Sequence, residues 1–345
     1  MLLEILSKLM FDIVNVCYGI GDTVTHINRP LKLKNVLLQD YPRDYLLHQT
    51  MIVDARKKWP VTYTYPQDVQ DSTGFVAFKN SKVSIVIVNH IGGNDFIAVA
   101  ELFKMAGRIQ DIRFITMEEF TKPPIIGCSK SVRQQIKQIF DKFDTLLLPS
   151  RGTLTKDGKD AATIIKEYAQ RKAMTDETYA IVIFPEGKLL EKNTYIQCQQ
   201  FLKDKLGLTE KDMWPATCAP RVNGVDLLIK EIPHADVFDI TLKYGFTGSG
   251  LPRDGVYGGD IFTVPNVMFR NLHPAQIHAK IDVLDNKEIL SAMDAYKRKQ
   301  IDARHHWLNQ LWQRKNDYLV NLELPLLLGG KERLGKVRFR RRNNK

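Results

Sequence analysis

Residues 83–95 read VSIVIVNHIGGND, and no other stretch of the chain restricts the fold so tightly. Val83, Ile85, Val86, Ile87 and Val88 make a β-branched run that predicts a short buried strand. The run stops at Asn89-His90, and Gly92 and Gly93 then punctuate the backbone. Asn94 or Asp95 is suited to cap the apolar helical run from Phe96 to Ala106. An imidazole therefore ends a core strand, and a carboxylate opens the next helix, in the spacing His-x4-Asp. If the turn folds Asp95 back onto the ring, the carboxylate fixes the tautomer and leaves the other nitrogen free to take a proton. The same spacing equally fits a satisfied histidine beside a helix cap, and the pair alone does not choose between them.

The pattern of strand followed by helix repeats. Helix 95–106 follows strand 83–88. Ile112–Thr116 reads as a strand, Ser131–Phe143 as a helix and Thr145–Leu148 as a strand. Asp160–Ala173 then reads as a helix, Tyr179–Phe184 as a strand and Asn193–Leu206 as a helix. This alternation predicts an α/β core with a mixed, largely parallel sheet flanked by helices. Open sheets of this kind bind ligands at the carboxyl ends of their strands. His90, Arg151 and Glu186 each fall just after a predicted strand end, which makes them candidates for one site.

Outside this core the signals are more varied. Proline interrupts residues 26–80 repeatedly, at Pro30, Pro42, Pro60 and Pro66; Val61–Tyr65, between the last two, and Gly74–Phe78, after them, read as strands. Beyond the core, Val237–Tyr244 and Gln276–Val283 alternate like strands, and the glycine-rich stretch Gly245–Gly259 reads as a loop. Asp285–Val320 is a charged helical region in which Trp307, Leu308, Leu311, Trp312 and Leu319 form an apolar stripe. Such a stripe more often packs into a core than onto a partner. These shifts divide the chain into a lead-in segment, 1–80, a body, 81–322, and a basic tail, 323–345.

With 345 residues, 44% of them hydrophobic, a large core is attainable. Cys17, Cys128, Cys198 and Cys218 are scattered, so neither a zinc site nor a disulfide framework is indicated, and a reducing compartment is the simpler expectation. The net charge of +11 is concentrated in the tail, where eight basic residues between Lys331 and Lys345 face Glu332 alone. That tail suits an anionic surface, or is a solvated end. No specific nucleic-acid partner is expected, because no recognition motif with interleaved aromatics accompanies the charge. No window reaches the roughly 18–20 apolar residues that span a bilayer. The N-terminus instead places Leu2, Leu6, Leu9 and Ile13 at helical spacing, as in an interfacial amphipathic helix or an ordinary packed one.

Phe184-Pro185-Glu186-Gly187 ends its strand about ninety residues after the histidine motif. NH-x4-D followed by FPEG resembles the glycerolipid acyltransferase family of the PlsC type. The likeness extends over roughly residues 80–322. Leu148-Pro149-Ser150-Arg151 stands where that family ends a strand in a phosphate-contacting arginine. Ala219-Pro220-Arg221-Val222-Asn223-Gly224 resembles the P-R-x-x-G element of the eukaryotic branch that includes lysocardiolipin and lysophosphatidylinositol acyltransferases. Phe238–Tyr244 resembles that branch's D-x-T-x-x-Y strand, the strand holding His278 its V-H-x-H-x region, and Trp307–Tyr318 its W-L…W…K-D helix.

The resemblance implies transfer of a fatty acyl group from acyl-coenzyme A, a co-substrate, to a lysophospholipid of the lysophosphatidic acid, lysophosphatidylinositol or lysocardiolipin type. No metal or other cofactor is implied. His90 would act as general base with Asp95 orienting it. Arg151 and Lys188 would hold the acceptor phosphate, Glu186 and Gly187 would shape the acceptor side, and Arg221 would bind a second anionic group or form a structural ion pair. The implied location is a membrane surface, the cytoplasmic face of the endoplasmic reticulum first, with a mitochondrial membrane or lipid droplet as alternatives. Two departures from the family pattern stand out: Ile91 replaces the usual Gln or Ser, and Lys188 the usual Thr or Ser. They motivate an alternative, a catalytically degenerate member that binds lipid or a partner.

Overall fold

The computed structural model describes residues 67–93, 95–118, 140–141, 144–150, 152–155, 157–245, 257–261, 276–299 and 302–322. The helix expected at the N-terminus, the strand Val61–Tyr65, Arg151, nearly all of helix 131–143 and the basic tail lie outside them.

Two short helices, α1 (Gln67–Asp71) and α2 (Thr73–Asn80), lead into β1 (Val83–Val88), α3 (Asp95–Met105), β2 (Ile112–Met117) and β3 (Leu146–Leu148). Then come α4 (Ala161–Ala173), β4 (Tyr179–Ile183), α5 (Lys192–Leu206), α6 (Val222–Glu231) and β5 (Asp236–Gly245). The single turn α7 (Gly258–Ile261), β6 (Gln276–Leu284), α8 (Asn286–Lys297) and α9 (Trp307–Asn321) complete the described elements. The six strands form one sheet in the order β3-β2-β4-β1-β5-β6, parallel except for the antiparallel pair β5–β6. The α/β class expected from the strand–helix alternation is the observed one.

β1 is central, and Ser84–Val88 are buried on both faces. A central parallel strand covered on both sides needs a continuous apolar run rather than an alternating one. Ile85 and Ile87 point into a cluster with Ile181, Ile183, Val225, Leu228, Leu308 and Trp312. Val86 and Val88 point the opposite way, to Phe78, Val99, Phe103, Phe238 and Ile240. Full burial of each such side chain is worth about 1.5–3 kcal/mol.

Residues 74–78 correct one expectation. Gly74–Phe78 is not a strand but the middle of helix α2. Ser72 caps it by accepting from the Phe75 N–H at 3.1 Å, and Phe75 and Phe78, three apart, bury one face. Gly74 sits against the backbone of β6, where an added Cβ would lie 1.9 Å from the Ile281 carbonyl oxygen. The helix approaches the sheet that closely only with glycine there. Because Phe78 is fully buried in the core shared with β1, the folded body takes in residues before 81. The charged region 285–320 is two helices, separated by Lys299 at φ 56° and a short 3-10 turn at Ala303–His305. Its apolar stripe is buried, as expected.

Candidate active site

β1 and β4 are parallel neighbours with Ile87 opposite Ile183. Continued past both strand ends, that register brings His90 level with Glu186. The His90 backbone N–H donates to Glu186 Oε1 at 3.3 Å. Asn89 secures the other side: its side chain donates to the Leu242 carbonyl at 3.0 Å and accepts the Leu242 N–H at 2.8 Å, extending the β1–β5 ladder by one side-chain rung. The histidine loop is thus tied to both flanking strands.

Within the loop, Asp95 does turn back onto the ring. His90 Nδ1 and Asp95 Oδ2 are 2.7 Å apart. The same oxygen accepts the N–H of Ile91 at 2.6 Å and of Gly92 at 3.1 Å. Asp95 is fully buried, and Tyr244 on β5 donates its hydroxyl to Oδ1. A carboxylate surrounded by donors accepts, so the imidazole proton sits on Nδ1. Nε2 has no hydrogen-bond partner among the described residues. The ring stacks on Phe184 of the second motif, with centroids 4.5 Å apart, and is 22% exposed. One nitrogen is fixed and the other is an accessible lone pair, the arrangement a general base requires.

The FPEG turn closes with the Gly187 N–H donating to the Phe184 carbonyl at 3.0 Å. Gly187 has φ 66°, and a Cβ there would meet the Arg221 guanidinium carbon at 2.9 Å. Arg221 therefore lies against the face of Gly187, and its backbone N–H donates to the Pro185 carbonyl at 2.8 Å. Lys188 is exposed at the end of the turn. Of the residues singled out in the sequence, His90, Asp95, Glu186, Gly187 and Arg221 are brought together.

Glu186 is turned into the protein. Its carboxyl is 6% exposed; Oε1 accepts from His90 N–H and, at 3.1 Å, from the Trp312 indole N–H, and Oε2 meets the Cys218 N–H at 3.4 Å. All three partners are protein groups, which makes Glu186 the knot joining the ends of β1 and β4 to α9. Burial pushes its acid up to about 8 from an ordinary 4.5, although His90 and the Trp312 N–H pull the other way. The folded chain then keeps a proton there that the unfolded chain releases. The resulting stability is fully present below pH 4.5 and is lost as pH rises through about 8. Urea unfolding of the wild type and Glu186→Gln at pH 5, 7 and 9 is the check. The stability of the wild type relative to the variant should fall steadily across that range, and a flat difference would show that no such proton is held.

Ile91, where the resembled family has Gln or Ser, has an apolar setting. It packs against the core beside β1 and under α7, where a Cβ on Gly258 would meet Ile91 Cγ2 at 2.4 Å. The same turn reaches the second motif: the Gly259 N–H donates to the Leu190 carbonyl at 3.0 Å, and Asp260 accepts the Lys192 N–H at 3.0 Å.

Sequence reasoning did not assign Asn89, Tyr244 or Trp312 to the site. Their signals were present, as the Asn before the motif histidine, the last residue of the D-x-T-x-x-Y strand and the second tryptophan of the apolar stripe. Among the described residues no group of three or more His, Cys, Asp or Glu side chains is arranged to hold a metal ion. A scan against protein-family models matched none, and a search of curated proteins found no similar chain.

Proposed function

We propose that the chain is an acyl-coenzyme A-dependent O-acyltransferase that acylates the free hydroxyl of a lysophospholipid at a membrane surface. The observation that carries this reading is the His90–Asp95 pair at the carboxyl end of the central strand, with Nε2 open and the Glu186-Gly187-Arg221 turn beside it. An alcohol is a poor nucleophile at neutral pH until a base takes its proton. His90 Nε2 removes that proton as the oxygen attacks the thioester carbonyl, and Asp95 stabilises the imidazolium that forms. The tetrahedral intermediate collapses with cleavage of the C–S bond, and the imidazolium returns the proton to the departing thiolate. No acyl-enzyme is needed.

Arg221, lying against Gly187, would bind a second anionic group through its forked donors or form a structural ion pair. Exposed Lys188 adds a second cation, and Arg151 a third within this reading. Glu186 acts as the brace between the two motif loops. Ile91 packs beneath α7 and leaves the His90–Asp95 pair in place, so the departure at that position does not by itself disable the base. Among the described residues no helix is long and apolar enough to cross a membrane. Within this reading, contact with the lipid acceptor falls to the helical spacing of Leu2, Leu6, Leu9 and Ile13 and to the basic tail.

The test is to incubate purified protein with labelled oleoyl-coenzyme A and a panel of lysophospholipids. A labelled diacyl product with at least one acceptor, together with stoichiometric free thiol, is expected. Release of free oleate with no acylated lipid would replace this reading with a thioesterase, and no turnover at all would favour the binding protein.

A further inference from the structure

We propose that Tyr244 is the positioning residue of the His90–Asp95 pair, setting the rotamer and basicity of Asp95 from a neighbouring strand. Three donors, His90 Nδ1–H and the N–H groups of Ile91 and Gly92, converge on Oδ2 of Asp95. All three belong to the loop that Asp95 itself closes. Oδ1 receives the Tyr244 hydroxyl, which comes from 149 positions away in the sequence. Asp95 is fully buried and Tyr244 is 3% exposed, so water does not replace this bond.

The backbone aims the phenol at this point. β5 turns Phe238, Ile240, Leu242 and Tyr244 to the face that also packs α3, whose first residue is Asp95. The paired bonds between Asn89 and Leu242 fix the register of β5 against the end of β1, two residues before Tyr244. The antiparallel pairing of Tyr244 with Ile277 steadies it from the other side.

Two consequences follow. A carboxylate bonded through both oxygens is held against rotation about its Cβ–Cγ bond, which fixes the imidazole plane and the direction of Nε2. The phenol also draws charge from the carboxylate, which keeps the shared proton on Nδ1 rather than on Asp95. The kinetic consequence rests on the acyl-transfer reading; the spectroscopic one does not.

The test uses the full chain with ¹⁵N-labelled histidine. The proton resonance of His90 Nδ1–H is identified by its loss in His90→Gln. Tyr244→Phe preserves the ring and removes only the donor, and its resonance should move downfield as the carboxylate pulls harder on the proton. Uniform replacement of tyrosine by 3-fluorotyrosine, a stronger donor, should move it upfield, and serves on its own if Tyr244→Phe does not fold. In the transfer assay Tyr244→Phe should lower kcat about tenfold, the worth of one buried bond, with KM for both substrates within about twofold. A resonance unmoved in either protein would overturn the proposal, whatever happens to the melting temperature. If the resonance moves as stated but the wild type transfers no acyl group, the positioning role stands and the acyltransferase reading falls.

Discussion

His90→Ala should lower acyl transfer by at least about a hundredfold, the low end for loss of a general base. The effect should fall on turnover. The ring is 22% exposed and stacks on Phe184 at the end of the sheet rather than filling the core, so its removal leaves the fold intact. Asp95→Asn should be comparably severe for a different reason. The carboxylate accepts from His90 Nδ1, Ile91 N–H and Gly92 N–H through one oxygen and from Tyr244 through the other. An amide has one acceptor and one donor end. Its NH₂ group must oppose either the Tyr244 hydroxyl or the cluster of donors in the loop, and in the second case the imidazole flips its tautomer and presents a proton where a lone pair is required. Initial rates at saturating thioester and acceptor measure both variants, with circular dichroism confirming the fold. Near wild-type turnover in a folded His90→Ala protein would end the general-base mechanism.

The residues legible in sequence were those whose neighbours lie close along the chain. The run VSIVIV announces a strand buried on both faces because five of its six residues are β-branched and the apolar run does not alternate. The spacing His-x4-Asp allows one loop to close on itself, and Asp95 does so by accepting two N–H groups of that loop. Gly74–Phe78 reads as a strand in sequence because GFVAF is a short apolar run, and such a run carries no period long enough to separate strand from helix. Ser72 in the capping position and the Phe75–Phe78 spacing decide it.

What no local pattern contains is the strand order. That β4 and β5 flank β1 brings Glu186 to the His90 backbone and Tyr244 to Asp95, pairs separated by 96 and 149 positions. The inward turn of Glu186 has the same origin. Its partner Trp312 lies on α9, where the sequence displays only an apolar stripe; the indole N–H that ends in a carboxyl is invisible until the helix is docked. Ile91 is a converse case. Judged against the family pattern it looks like an impaired residue, yet it fits an apolar socket supplied by Gly258, far along the chain.

Docking of α9 depends on a buried ion pair, and Lys315→Met should cost about 3–5 kcal/mol of folding stability, the usual penalty for removing one partner of such a pair. Lys315 Nζ lies 2.6 Å from Asp239 Oδ1 on β5 and donates to the Ile240 carbonyl at 2.7 Å. Both residues are 2% exposed. Burial pulls the lysine down and pushes the aspartate up, while each opposes that tendency in the other. With Lys315 gone, Asp239 loses its bonded countercharge and keeps only the weaker pull of exposed Lys280, and the Ile240 carbonyl loses its donor. Replacing both members, as in Lys315→Met with Asp239→Leu, should recover most of the loss, because the cost is that of the stranded charge rather than of the missing attraction. Urea unfolding of the two single variants and the double variant measures this. A single-variant loss under about 1 kcal/mol, the range of an exposed pair, would mean that the pair does not hold α9 down. The consequence reaches the site, since Lys315 sits 4.8 Å from the Trp312 ring centroid and Trp312 donates to Glu186. Loosening α9 in the single variant should release Glu186 and with it the backbone of His90, so transfer activity should fall with stability and return with it in the double variant.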